Sequence, residues 1–175
     1  MSLLDRMPKP VNLHAFVPWR AGGIVGGYLR PAFAEELLKG DLFVSAGNGL
    51  ALAPDVDAGG FDLRTQALAP LVRRLYEEGR TQAWRNEPYA VMAGHGETPV
   101  MTIERAAVPL FGTIGLGVHI NGFVQKADGL HMWIGRRALD KPTGAGKLDQ
   151  VVAGGQPYGL SLAANIAKEC AEEAG

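Results

Sequence analysis

The chain has 175 residues, 47% of them hydrophobic and 20% charged, with 17 Lys+Arg against 18 Asp+Glu and a net charge of −1. That is enough for one full domain or two small ones, and the apolar content excludes a disordered tail protein. The near-neutral balance argues against an electrostatic nucleic-acid binder, and no apolar run reaches the ~18 residues of a membrane span.

Cys170 is the single cysteine, so no internal disulfide can form. Met1–Asp5 lacks the basic-then-apolar pattern of a secretory signal, and a cytoplasmic location is the expectation. Glycine is abundant, 24 residues, about twice ordinary usage of roughly 7%.

Residues 8–20, with Pro8, Pro10 and Pro18, predict a segment of little regular structure. The Gly22–Tyr28 stretch predicts a strand around Ile24-Val25. Pro31 opens a short helix to Lys39, where its missing N–H costs nothing, and Gly40 closes it. Leu42 to Ala46 and Leu50 to Leu52 flank Gly47-Asn48-Gly49, which predicts a hairpin around an Asn-Gly turn. Asp62 is placed to cap a helix over Leu63–Glu78, with Ala67, Leu68, Leu71, Val72, Leu75 and Tyr76 as its apolar stripe and Pro70 inside. Strands are predicted over 89–92 and 99–104. A domain boundary is placed after residue 113, giving units 1–113 and 114–175.

In the second unit, Gly117–Gln125 and Leu130–Arg137 predict two strands joined by Lys126-Ala127-Asp128-Gly129. A loop with Lys141 and Lys147 follows, then Val151-Val152-Ala153 and Gly154-Gly155. The last predicted helix runs from an N-cap at Ser161 to Glu173, with Leu162, Ile166, Ala167 and Cys170 as its buried side. Trp133 is assigned to sheet packing in preference to ring stacking, and His119 to packing and hydrogen bonding in preference to catalysis. The four histidines lack zinc-ligand spacing.

Glu169, Glu172 and Glu173 stand at i, i+3 and i+4 in that helix. Like charges at such spacings cost about 0.2–0.5 kcal/mol per pair, and the negative end of the helix dipole adds about 0.3–1 kcal/mol. A divalent cation would remove both penalties, and hard carboxylate oxygens suit Mg²⁺ or Mn²⁺. The carboxylates alone leave a plain solvated helix face open as the other reading.

Gly154-Gly155 followed by Lys168-Glu169-Cys170-Ala171-Glu172-Glu173-Ala174-Gly175 resembles the box of the MutT/Nudix family. Leu160 stands where that box has its first Glu, and Lys168 where it has Arg. A narrower resemblance, to the thiamine pyrophosphokinase-related Nudix proteins, rests on several segments. They are Gly117 to Gly122, Met132 to Arg137, Lys141-Pro142-Thr143, Gly146 to Asp149 and Val152 to Pro157. In the first unit Gly27 to Pro31, Trp84 to Glu87 and Glu104 to Ala107 continue it.

The resemblance implies an α+β chain: a small N-terminal α+β domain, then the first part of a Nudix α/β/α sandwich, with the polypeptide continuing past Gly175 and the fragment alone inactive. It implies Mg²⁺-dependent (or Mn²⁺-dependent) hydrolysis of a diphosphate linkage. Glu169, Glu172 and Glu173 would be catalytic and, with the Gly154 carbonyl, hold the metal. Arg136, Arg137, Lys141 and Lys147 would bind a small diphosphate substrate, although a solvated hairpin edge explains them equally well. Thiamine diphosphate or its damaged analogues are the implied substrates. A nucleotide-type diphosphate, or a non-catalytic binding or dimerisation module, is the alternative, and a homodimer stays open.

Overall fold

The computed structural model describes residues 12–140 and 144–174. The chain is α+β, as the sequence predicts, and divides into two compact units, Met1–Ile114 and Gly115–Gly175.

In the first unit, β1 (Val17–Ala21), β2 (Ile24–Leu29), β3 (Phe43–Ala46) and β4 (Gly49–Leu52) form one sheet in the order β2-β1-β4-β3. β1 overturns the expectation of an irregular stretch up to residue 20: it lies inside the sheet, antiparallel to β2 and parallel to β4. Pro18 is tolerated there because the parallel ladder starts at Trp19 and ends at Arg20, so the missing N–H interrupts no bond to β4. The hairpin between β3 and β4 turns on Gly47-Asn48, with Gly47 at φ 58°, and Gly49 already belongs to β4. The turn is therefore Gly-Asn, one residue earlier than the predicted Asn-Gly.

Helix α1 (Pro31–Leu37) has proline in its first turn. A short helix α2 (Pro54–Ala58), absent from the sequence reading, precedes α3 (Gly60–Glu77). Because α3 starts at Gly60, Asp62 lies in its first turn and does not cap it. Asp57 of α2 organises this corner. It accepts hydrogen bonds from the Gly22 N–H (2.6 Å) and Arg64 Nε (2.9 Å), while Arg64 Nη1 reaches the Val100 carbonyl at 3.2 Å. Leu68, Val72 and Leu75 bury one face of α3 at helical spacing, and that helix packs on β6 (Met101–Glu104), the partner of β5 (Pro88–Val91). A 3₁₀ turn at Arg105–Ala107 leads into α4 (Val108–Phe111), ended by Gly112 at φ 58°.

Trp19 is the centre of the first unit's core. Its ring meets Phe43 and Phe111 edge-on, both at 6.0 Å between centroids, and Phe111 in turn meets Phe33 at 5.4 Å. Its Nε1 donates to the Phe111 carbonyl at 2.9 Å, so the indole buries completely without an unpaired donor. β2 can approach α4 this closely only through glycine: a Cβ on Gly27 would stand 2.4 Å from the Phe111 carbonyl oxygen and 2.7 Å from that of Gly112.

The second unit is built from two-stranded pieces: β7 (Gly117–Ile120) with β12 (Val152–Gly155), β8 (Phe123–Lys126) with β9 (Gly129–Met132), and β10 (Gly135–Arg136) with β11 (Leu148–Asp149). Each of the two long predicted strands is thus divided, the first at Asn121-Gly122 and the second at Trp133-Ile134. Helix α5 (Leu162–Glu173) packs mainly on β12. Among the described residues no helix is long and apolar enough to cross a membrane.

Gly27→Ala will destabilise the first unit by about 1–3 kcal/mol, because its new methyl meets two backbone oxygens that no rotamer change can move. Gly23→Ala meets no neighbour but has φ 80°, so it carries only the left-handed backbone cost of about 1 kcal/mol. Urea denaturation followed by Trp fluorescence checks the order of the two variants.

Candidate metal-binding site on the last helix

Ser161 starts α5 as expected, its Oγ accepting from the Ala164 N–H at 3.2 Å. The face that α5 turns inward is a different one from the predicted Leu162, Ile166, Ala167 and Cys170. Leu162 and Ile166 are 55% and 39% exposed, Ala167 is exposed and Cys170 is half-buried. The buried residues of the helix are Asn165 and Glu169.

Asn165, Glu169 and Glu173, each one turn beyond the last, step down three consecutive residues of β12. Asn165 Nδ2 donates to the Gly155 carbonyl at 2.8 Å and to Gln156 Oε1 at 3.0 Å. Glu169 lies over Gly154, where a Cβ would stand 2.0 Å from its carboxyl carbon and 2.3 Å from Oε2. Glu173 Oε2 accepts the Ala153 N–H at 3.0 Å. The absence of a side chain at Gly154 is what lets a carboxylate rest against the strand. Asn165 matters here and was missed. Its signal was a lone amide in the apolar run Leu162 to Ala167, four residues ahead of Glu169.

Glu172 belongs to another face and is joined to Glu169 through Lys168. The Lys168 ammonium lies 3.0 Å from Glu169 Oε1 and 3.1 Å from Glu172 Oε2. These two carboxylates hold the lysine's pKa above its ordinary value, the Glu169 hydrogen bond contributing most.

The donor set fits a hard divalent cation in its chemistry: carboxylate oxygens of Glu169 and Glu172 already share one cationic centre, and the buried Asn165 Oδ1 has no hydrogen-bond partner among the described residues. The convergence of three carboxylates does not occur. Among the described residues no three His, Cys, Asp or Glu side chains gather closely enough to hold a metal, since Glu173 is turned to the strand backbone.

Of the predicted substrate-binding cations, Arg136, Arg137 and Lys147 lie on or beside the strands of the β10–β11 hairpin. Arg137 Nη1 is bound to Asp149 Oδ2 at 2.6 Å, and that hydrogen bond, reinforced by the Gln150 N–H, keeps the Asp149 carboxyl below its usual range. The stems of Arg137 and Lys147 both lie near Gly144, while Arg136 is exposed in β10. Lys141 lies outside the described residues. Trp133 is 65% exposed, against the expectation that it packs, because β8–β9 carries no covering layer among the described residues. His119 is exposed on β7 and its Nδ1 contacts Gln150 Oε1.

The chain belongs to the family described as a domain of unknown function (DUF4743), whose model matches residues 1–114. It is also 38% identical over 174 residues to Nudix hydrolase 20, chloroplastic, of Arabidopsis thaliana, covering 94% of this chain and 46% of that protein. With Nudix hydrolase 24, chloroplastic, of the same plant the identity is 37% over 177 residues, covering 100% of this chain and 48% of that protein. An uncharacterized protein of Saccharomyces cerevisiae is 36% identical over 119 residues, covering 65% of this chain and 34% of that protein. The chain thus spans about half the length of the two plant relatives it matches.

Lys168→Gln will lower stability at neutral pH by at most about 1 kcal/mol, the solvent-screened worth of such a pair. Because the folded-state pKa of Lys168 is raised, the pair's contribution is complete below the ordinary lysine pKa of about 10.4 and is lost as pH rises through the higher folded value. Denaturant titrations of both proteins between neutral and strongly alkaline pH should therefore converge only at the alkaline end.

Proposed function

We propose that residues 115–175 form the first part of a Nudix hydrolase domain, and that the protein they belong to cleaves a diphosphate linkage with the help of Mg²⁺ or Mn²⁺. The observation that carries this reading is the seat of Glu169 on side-chain-free Gly154, one turn from Glu173 and bridged by Lys168 to Glu172. Two relatives bearing the Nudix hydrolase name, aligned across this unit, support it.

On this reading Glu169, Glu172 and Glu173, with the Gly154 carbonyl, would hold the ion. When bound, the ion polarises a phosphoryl oxygen and lowers the pKa of a water molecule. The chain's own residues supply the remainder. Lys168 holds the Glu169 and Glu172 carboxylates together through its ammonium. Asn165 fixes the height of α5 on β12, and so the position of Glu169, through its bond to the Gly155 carbonyl. Among the described residues, Arg136 and Lys147, exposed on the hairpin and its loop, are free to neutralise a departing phosphate, while Arg137 already answers Asp149. A carboxylate of this set would take the proton of the attacking water.

For the substrate we favour thiamine diphosphate or a damaged analogue cut to its monophosphate, on the motif resemblance, with a nucleotide-type diphosphate as the alternative. We assign the protein to the cytoplasm on its lone cysteine; the two plant relatives carry chloroplastic names. A non-catalytic binding or dimerisation module is the second reading, and exposed Phe123, Leu130, Met132 and Trp133 on and beside β8–β9 favour it.

In the full gene product, Glu172→Gln should lower Mg²⁺-dependent phosphate release from a panel of diphosphates by about 10²-fold or more. Wild-type turnover that the substitution leaves intact overturns the metal assignment. A protein inert toward the whole panel but dimeric in sedimentation favours the binding module.

A further inference from the structure

The first unit contains a cavity of about 590 Å³ between the end of β2, α1, the turn after α3 and α4. That volume lies within the roughly 300–1,000 Å³ of small-molecule sites. Its walls are mostly apolar and aromatic, with Phe16 just ahead of β1, Tyr28 on β2 and Phe33 on α1, and its lining includes two arginines and neither Asp nor Glu.

The two arginines have different tasks. Arg80 is already satisfied: its Nη1 and Nη2 donate to the two oxygens of Glu36 at 2.5 and 2.8 Å, and its guanidinium lies over the Phe33 ring, 5.2 Å from the centroid. Its charge is answered by Glu36. Arg30 is exposed, and no hydrogen bond or ion pair engages its side chain among the described residues. Its backbone is set by the start of α1, with φ −66° and ψ 140° ahead of Pro31. Gln82 and Tyr28 line the same cavity, and their side-chain polar groups likewise have no hydrogen-bond partner among the described residues. A pocket with flat π surfaces, one unanswered cation and two spare polar edge groups selects a flat ring bearing an acidic substituent. The ring stacks against aromatic and guanidinium faces, and the anion pairs with the planar fork of an arginine.

From this arrangement we infer that the first unit is a binding domain for a small aromatic anion, a ring system carrying one phosphate or carboxylate, with Arg30 as the residue that recognises its charge. The site lies wholly within Met1–Ile114 and does not depend on the metal reading of α5.

Isothermal titration of the 175-residue chain in metal-free buffer tests it, with 1-naphthyl phosphate, 1-naphthol and inorganic phosphate as probes. Naphthyl phosphate is expected to bind at least about tenfold more tightly than either component, since only it uses both features of the pocket. Arg30→Ala should weaken it by about tenfold, the worth of one charged hydrogen-bonding contact, and Arg30→Lys by less. Arg30→Gln serves as a second variant, and circular dichroism confirms that each is folded. Glu172→Gln should leave the titration unchanged, which separates this site from the hydrolase reading. No heat from naphthyl phosphate at millimolar concentration, equal binding of naphthol, or an Arg30→Ala protein that binds as wild type would each overturn the proposal.

Discussion

The placement of α5 on β12 governs everything the second unit can do. A helix normally settles on a sheet by burying leucine and isoleucine. Here Asn165, Glu169 and Glu173 face three successive strand residues, and Leu162 and Ile166 stay outside. A polar seam of this kind contributes little net stability, since each bond replaces one made to water. It does fix register: the Asn165 bond to the Gly155 carbonyl and the Glu173 bond from the Ala153 N–H hold α5 at the height where the Glu169 carboxylate meets Gly154. Position, rather than stability, is what the seam secures, and position is what a metal-binding or phosphate-handling site needs.

Lys168 changes the energetic argument about the three glutamates. Viewed as a row of like charges at the negative end of a helix, they call for an external cation. The folded chain supplies one of its own, within 3.1 Å of both Glu169 and Glu172. The local penalty is therefore smaller than the spacing of the acids alone implies, and charge crowding by itself does not prove a metal site. The more discriminating feature is the bare Gly154 beneath a nearly buried carboxylate, because a surface helix stabilised by i, i+4 pairs has no need of it.

Local chemistry was legible in the sequence wherever a residue type determines backbone shape. Pro31 starting α1, Ser161 capping α5, and the stripe of Leu68, Val72 and Leu75 on α3 all follow from such rules. What stayed hidden depended on tertiary neighbours. β1 carries Pro18, which is acceptable because the parallel ladder to β4 begins only at Trp19. α2 is five residues long, too short for any periodicity, and rests on Pro54 and the bond that the Gly22 N–H donates to Asp57. On α5 the apolar spacing points to the wrong buried side, because Asn165 and the glycines of the facing strand decide which face turns inward. The identities of Gly154, Glu169, Glu172 and Glu173 could be singled out from the motif; that Glu172 reaches the others only through Lys168 could not.

The two units also differ in how their burial is distributed. The first closes an aromatic core around Trp19, Phe33, Phe43 and Phe111 and adds the apolar face of α3. In the second, Val118 and Val152 are the buried hydrophobic residues among those described, while Phe123, Leu130, Trp133, Leu139, Leu148 and Leu162 are each more than half exposed. Two valines cannot offset the conformational entropy of ordering so many residues. The strands and α5 therefore need an apolar surface laid over them to hold their arrangement. Among the described residues the position of Glu169 rests on the Asn165 amide and the Lys168 bridge, and not on burial of Leu162 or Ile166.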